Sequence, residues 1–330
     1  MYRTFFGLTR NPFGMAPDSE FLFLTGKHRE AIAGLTYAIT ERKGFLVLSG
    51  EAGTGKTTVL SWVLSRLEGP KVTTSVILNP MVTANEFLET VLLGFGVNEI
   101  PQSRPRRFRI LEDLLRSVAE KGHVAALIVD EAQKLTPELL EEIRLMGNYE
   151  RNGEKLLQIL LVGQSEIDDL LNRPDLRQLK QRICVRLTVE ALERQELDKY
   201  IRYRWKKAGG QDAPFSPEVV SRILHWSGGI PRLVNALSDN ALMLAFADNQ
   251  KSVSVEHIDS IAKDLQLVAP VRNSGTASQV IAEKPKIPPE IPNDSGHFVP
   301  PVRMLTLERY ENPEKTAPLL VRWAGKLGLA

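Results

Sequence analysis

The sequence predicts an α/β fold: a parallel sheet flanked by helices, followed by a small all-α domain. Three observations predict it. Short apolar runs recur at Phe45–Ser49, Val72–Leu78, Ala125–Val129 and Leu156–Val162, separated by helical or polar stretches, as in a parallel sheet buried on both faces. A glycine-rich turn stands between the first run and a helical pattern. From Thr188 onward the strands cease and four helical patterns follow. The β-α-β-α order implies a doubly wound sheet.

Taken in order, Met1 to Thr25 is rich in aromatic and turn residues, among them Phe5, Phe6, Pro12, Phe13, Pro17, Phe21 and Phe23. It reads as an extended segment lying across the core. His28 to Arg42 sets Ile32, Leu35 and Ile39 at helical spacing and ends before Gly44, the pattern of a helix stopped by a C′ glycine. After Phe45–Ser49 and the glycine-rich turn, Thr57–Leu67 lines Leu60, Val63, Leu64 and Leu67 on one helical face. Beyond Thr188 helices are expected over Glu190–Lys207, Ser216–Trp226, Pro231–Ala247 and Ser254–Leu267, with Ser216 before Pro217 and Ser254 before Glu256 as N-terminal signals. After Ala269 the composition shifts to Pro, Ser, Gly and Asn, which marks a linker. The expected organisation is an N-terminal segment (1–26), an α/β core (27–187), a helical domain (188–268), a Pro-rich disordered linker (269–303) and a tail (304–330) that serves as a docking element.

A chain of 330 residues is long enough for two domains plus a tail. At 43% hydrophobic and 25% charged residues it is globular, neither fibrous nor disordered as a whole. A net charge of +2 supplies no global field to draw it onto nucleic acid or anionic lipid. The one cysteine, Cys184, makes no intrachain disulfide, so a reducing, cytoplasmic setting is expected. Neither a signal-peptide pattern nor a run of ~18 apolar residues is read, and no direct membrane span is expected.

Gly50-Glu51-Ala52-Gly53-Thr54-Gly55-Lys56-Thr57 fits G-x-x-x-x-G-K-[ST], the phosphate loop of P-loop NTPases, and falls between a strand and a helix. Glycines let backbone N–H groups close around phosphate oxygens, and the following helix aims its positive end at the same anion. Lys56 is expected on the β- and γ-phosphates, Thr57 on Mg2+, and Thr58 joins the nucleotide-binding set. The strand Ala125–Val129 ends in Asp130-Glu131, read as standing on the strand beside the phosphate loop. Such an acidic pair at the end of a core strand implies a bound cation. Asp130 is expected to hold the magnesium of bound ATP, and Glu131 to orient or deprotonate the attacking water. Gln164, after the strand Leu156–Val162, lies at the same sheet edge, where ligands of open parallel sheets bind.

Arginines complete the set. Arg232, in Gly228-Gly229-Ile230-Pro231-Arg232, stands in the first turn of a helix, where a cation opposes the macrodipole unless it meets an anion such as the γ-phosphate. Arg182, with Arg177 in reserve, is the expected arginine supplied to a neighbouring subunit's site.

With these residues the sequence resembles the AAA+ ATPase domain of the ExeA family, the general secretion pathway protein A group. The resemblance runs from Tyr2 to Leu267. It rests on Phe5-Phe6-Gly7-Leu8, Asn11-Pro12-Phe13, Pro17-Asp18, Phe21-Leu22-Phe23-Leu24 and His28-Arg29-Glu30-Ala31, then the two nucleotide motifs, Gly163-Gln164, Gln181-Arg182-Ile183 and Gly228-Gly229-Ile230-Pro231-Arg232. It implies a five-stranded AAA+ core with a helical lid, nucleotide-dependent ring formation, and Gln164, Arg182 and Arg232 as sensor 1, arginine finger and sensor 2. It also places the N-terminal segment near the adenine. The function it implies is an ATPase that drives assembly or remodelling of a secretion or envelope-export complex, held peripherally at the inner membrane by a partner.

The alternative partner is nucleic acid. Arg104-Pro105-Arg106-Arg107-Phe108-Arg109, read as a loop between helices, and Arg202-Tyr203-Arg204-Trp205-Lys206-Lys207, with Tyr203 facing the helical core, both mix cations with aromatics. Each also reads as a merely solvated stretch, the second with its cations snorkelling. His225, His257 and the other histidines lack metal-ligand spacing and read as structural or surface residues. Cys184, inside an apolar run, reads as a buried inert thiol.

Overall fold

Alternating apolar strands and amphipathic helices build one parallel sheet and one helical bundle in the computed structural model, which describes residues 2–15, 21–67 and 72–268. The Pro17-Asp18 pair, the 269–303 linker and the 304–330 tail lie outside the described residues. In chain order the elements are α1 (Tyr2–Phe5), α2 (Gly26–Thr40), β1 (Phe45–Ser49), α3 (Lys56–Leu67), β2 (Val72–Ile77), α4 (Ala84–Gly94), α5 (Arg104–Glu120) and β3 (Val124–Val129). There follow α6 (Pro137–Met146), a hairpin of β4 (Glu150–Arg151) and β5 (Glu154–Lys155), β6 (Leu157–Val162), α7 (Glu166–Leu171), α8 (Arg177–Lys180) and β7 (Ile183–Thr188). The bundle is α9 (Arg194–Lys207), α10 (Pro217–Ser227), α11 (Pro231–Ala247) and α12 (Val255–Asp264).

Five strands pair in the order β2-β3-β6-β1-β7, all parallel. The acidic pair is therefore not on the strand beside the phosphate loop, because β6 lies between β1 and β3. Crossover connections through helices let a chain skip a strand position and fill it later. Every residue of β1, β3 and β6 is buried, which is why these segments read as continuous apolar runs. One face of the sheet packs on α4, α5 and α6 through Phe87, Leu111 and Ile143, the other on α2 and α3 through Leu35, Ile39 and Leu60.

At the sheet edge, β7 alternates half-buried and exposed residues. Cys184 falls on the outer set and is exposed, which corrects the buried thiol expected from its apolar neighbours. An edge strand has one covered face, so an apolar run there does not imply burial throughout. The end of α2 also departs from expectation. Arg42 takes the left-handed position (φ 53°), with Lys43 N–H donating to Ala38 O at 3.0 Å, so the C′ residue is Arg42 rather than Gly44.

The basic stretch Arg104–Arg109 is the opening of α5, not a loop: Ser103 stands at the N-cap and Pro105 lies within the first two helical positions. The hairpin β4–β5 turns at Asn152-Gly153, both at positive φ.

Helices α10 and α12 carry the N-terminal caps that the sequence marks. Ser216 Oγ accepts from Val219 N–H, and Ser254 Oγ from His257 N–H. His257 also caps: its Nδ1 accepts from Ser254 N–H, and Nε2 lies 3.0 Å from Asp248. The described residues of the N-terminal segment pack on the bundle rather than across the sheet. Leu8, Phe13 and Phe21 are buried with Leu197, Tyr200, Trp205 and Phe215 in the core of the bundle. Aromatic side chains without period have no face to lay on a sheet but fill gaps between helices well.

Arg204 fastens this segment. It is 8% exposed, donates from Nε to Pro12 O at 2.5 Å and from Nη1 to the Tyr200 hydroxyl at 2.9 Å, and lies 5.0 Å over the Phe21 ring. Tyr203, expected to face the bundle core, is half-buried instead, and Arg204 is the inward residue. Arg204→Met keeps the stem but leaves buried acceptors without a donor. It should cost about 2 kcal/mol or more in urea unfolding and expose the N-terminal segment to limited proteolysis.

Candidate phosphate-binding edge

The loops after β1, β3 and β6 leave the sheet on one edge. After β1 the chain turns sharply at Gly50 (φ 151°), where an added Cβ would stand 2.3 Å from Val189 O. Glycine is required there by both conformation and space. Thr54 Oγ1 donates to Glu51 O at 2.9 Å and tightens the turn. Helix α3 starts at Lys56, so the loop N–H groups and the first turn of the helix face one cradle. Lys56 Nζ donates to Gly50 O at 2.7 Å and Glu51 O at 2.9 Å.

After β3, Asp130 N–H still donates to Ile77 O at 2.8 Å, continuing the ladder. Glu131 then takes a left-handed conformation (φ 54°, ψ 35°). For a non-glycine residue this stores roughly 1–3 kcal/mol of strain, a cost concentrated at functional sites. Its N–H donates to Asp130 Oδ1 at 2.9 Å.

Burial pushes both charges toward neutrality. Desolvation lowers the Lys56 ammonium from its usual range, while Asp130, Glu131 and Glu166 pull it back. Desolvation raises Asp130, opposed by the Glu131 N–H and by Lys56. A phosphate on the lysine and a cation on the carboxylate would each restore the charged form. The donor set therefore fits a magnesium nucleotide: a glycine cradle and ammonium for phosphate, the hard oxygens of Thr57 and Asp130 for the metal.

Gln164 follows β6, half-buried, and its backbone N–H donates to Gln133 Oε1 at 3.0 Å. Gln133 Nε2 in turn donates to Glu131 Oε2 at 2.8 Å. Arg232 is exposed in the first turn of α11, and its backbone N–H donates to Gly53 O at 3.4 Å, so the bundle touches the loop directly. Among the described residues its guanidinium forms no ion pair.

Arg182 lies at the far end of β7 and does not join this cluster. It is half-buried and tied to its own chain through Arg144 O of α6, at 3.2 Å, and Asn148 Oδ1 in the turn after α6. Arg177 is exposed at a depression of about 490 Å³ lined by Arg173, Arg177 and Lys180. Of the basic stretches, Arg104 pairs with Glu142, Arg107 with Glu89 at 3.2 Å, and Arg202 with Asp198 at 2.8 Å, while Arg204 is buried. Arg106 and Arg109 are exposed.

Two residues at this edge have no signal in local sequence. One is Gln133. The other is His28, which is buried beside the loop, with Nε2 3.3 Å from Thr54 O. Thr25 N–H donates to Nδ1 at 3.2 Å, so Nδ1 is the acceptor and the proton sits on Nε2, facing the loop carbonyl. Helix α2 is thereby capped and latched to the phosphate loop by one side chain.

Desolvation lowers the His28 pKa below the 6.5 of a free imidazole. Below about pH 6.5 the unfolded chain takes a proton that the folded chain refuses, so stability falls as pH drops through this range. Urea unfolding from pH 7.5 to 5 should show this loss, and His28→Gln, which keeps a donor and does not titrate, should reduce it.

The AAA domain family matches residues 39–171. General secretion pathway protein A of Aeromonas hydrophila is 37% identical over 280 residues, 84% of this chain and 50% of that protein. The chain thus spans about half the length of the curated relative it matches. Among solved structures, Cdc6p from Pyrobaculum aerophilum aligns with a TM-score of 0.57 at 18% identity, over 75% of this chain and 70% of that one. The Aeropyrum pernix ORC2 protein aligns with a TM-score of 0.55 at 19% identity, over 77% and 71%. At such identities these two establish the fold alone. No helix among the described residues is long and apolar enough to cross a membrane. In sequence and in fold, the chain belongs to the AAA+ ATPases, in the family of general secretion pathway protein A.

Proposed function

We propose that the chain binds ATP with magnesium at the Gly50–Thr57 loop, hydrolyses it, and uses the turnover to assemble or remodel a secretion or envelope-export complex. The observation that carries the chemistry is the meeting, at one sheet edge, of the Lys56 ammonium with the half-buried Asp130 and the strained Glu131. The name of the Aeromonas relative supports the client.

Residues Gly50 to Thr58 bind the nucleotide, with loop N–H groups on the phosphates and Lys56 exchanging its Gly50 and Glu51 carbonyls for β- and γ-oxygens. Thr57 and Asp130 hold magnesium, which when bound neutralises charge on the phosphate oxygens. Glu131 accepts a hydrogen bond from the attacking water and aims it in line with the γ-phosphate. Gln164 contacts the γ-phosphate or that water. Arg232 reads the γ-phosphate, and because its backbone rests on Gly53, a change there moves the helical bundle as a lid. Arg182, or Arg177, serves a neighbouring chain's site in a nucleotide-dependent ring. For Arg182 this requires release from Arg144 and Asn148; Arg177 is already exposed.

We place the chain in the cytoplasm, peripheral at the inner membrane through its partner. Nucleic acid, the alternative partner, draws less support: Arg104, Arg107, Arg202 and Arg204 are committed to partners within the chain.

Glu131→Gln should bind ATP as the unsubstituted chain does in calorimetry while phosphate release falls about 100-fold or more, and Lys56→Ala should lose binding. Unchanged hydrolysis in Glu131→Gln would falsify the water-orienting role. If an arginine acts between chains, turnover per chain should rise with protein concentration. Mixing Lys56→Ala with Arg182→Ala, or with Arg177→Ala, should then restore activity for the arginine that acts in trans; flat concentration dependence would exclude that arrangement.

A further inference from the structure

Gln133 is a polar side chain at this edge to which the chemistry above gives no part. It sits in the short 3-10 turn Ala132–Lys134, directly after the strained Glu131. Its amide is used at both ends: Oε1 accepts from the Gln164 backbone N–H at 3.0 Å, and Nε2 donates to Glu131 Oε2 at 2.8 Å. The two ends of a side-chain amide are often hard to tell apart, but here its partners decide. A backbone N–H meets only an acceptor and a carboxylate only a donor, so the reversed amide would lose both bonds.

Gly163 leaves the room this contact needs. A Cβ there would stand 3.0 Å from Gln133 Oε1, 3.3 Å from Gln133 N and 3.2 Å from Ile167 Cβ. Lys134 Nζ lies 3.4 Å from the same Glu131 Oε2. One carboxylate oxygen is thus held twice, and among the described residues no hydrogen bond ends on Oε1 of Glu131.

We propose that Gln133 is a positioning residue: it clamps Oε2 of Glu131 to the end of β6 and so directs Oε1 toward the attacking water. The inference rests on the water-orienting role proposed for Glu131. It also gives Gly163-Gln164 a second use, as the glycine that admits the clamp and the backbone N–H that anchors it. The carboxylate that aims the water is then tied to the loop that carries Gln164.

The test uses the full chain, with steady-state phosphate release and calorimetric ATP binding measured on each variant. Gln133→Ala should lower kcat about 10- to 100-fold with ATP affinity unchanged, the loss expected of a misaimed catalytic group. Gln133→Glu is nearly isosteric and keeps the acceptor for the Gln164 N–H but sets a carboxylate oxygen against Glu131, so kcat should fall at least as far. A residue that merely supports the end of β6 would tolerate it. In the Glu131→Gln background, Gln133→Ala should cost nothing further, because the group it positions is gone. Wild-type kcat in Gln133→Ala or Gln133→Glu, or an equal loss in both backgrounds, overturns the inference alone. Full activity in Glu131→Gln removes the role of Glu131 and this inference with it.

Discussion

Burial of the sheet on both faces is the constraint from which the rest follows. With every residue of β1, β3 and β6 buried, neither face of these strands tolerates an unpaired charge, and polar chemistry is expelled to their ends. Parallel pairing then brings three carboxyl ends to one edge, with β6 between β1 and β3. Each supplies what the others lack: the first a glycine turn with a lysine, the second two carboxylates, the third an amide-bearing loop. The partial burial that pushes Lys56 down and Asp130 up is a cost borne by the free chain that a phosphate and a cation both relieve.

The same edge is tied to the helical bundle by short polar links rather than by a broad apolar interface. Arg232 N–H rests on Gly53 O, and His28 connects the Thr54 carbonyl to the start of α2. The N-terminal segment, buried in the bundle through Leu8, Phe13 and Phe21, reaches α2 through Thr25, the residue that caps it. The loop and the bundle are thereby connected by two routes, one through α11 and one through His28 and the N-terminal segment. A few hydrogen bonds yield at a scale of about 1 kcal/mol each, small enough for nucleotide contacts to outweigh.

Much of this was legible in the residues because it is written locally. Apolar runs gave the four longest-buried strands, Ser216 and Ser254 announced their helices, and the phosphate loop and Asp130-Glu131 declared themselves by pattern. What was illegible depends on contacts distant in sequence. The insertion of β6 between β1 and β3 leaves no local trace. His28 is separated from Thr54 by 26 residues, and Gln133 from Gln164 by 31. Cys184 was misplaced because an apolar neighbourhood does not distinguish an edge strand from a central one. The Asn152-Gly153 hairpin and the Ser103–Pro105 helix start, by contrast, carried readable turn and cap signals that were outweighed by their charged surroundings.

Charge density along a sequence is also a poor guide to free charge in space, and the arginines here show why. Arg202 and Arg204 are two residues apart in one basic stretch, yet the first pairs with Asp198 on the surface and the second is buried under Pro12 and Phe21. Arg104 and Arg107, in the other stretch, hold Glu142 and Glu89. A guanidinium with a carboxylate at hydrogen-bond distance offers a phosphate backbone little field, and a buried one offers none. Arg232 differs in kind. It stands where the helix dipole disfavours a cation, forms no ion pair among the described residues, and is held by its backbone against the phosphate loop. This placement beside the loop supports the anion contact proposed for it.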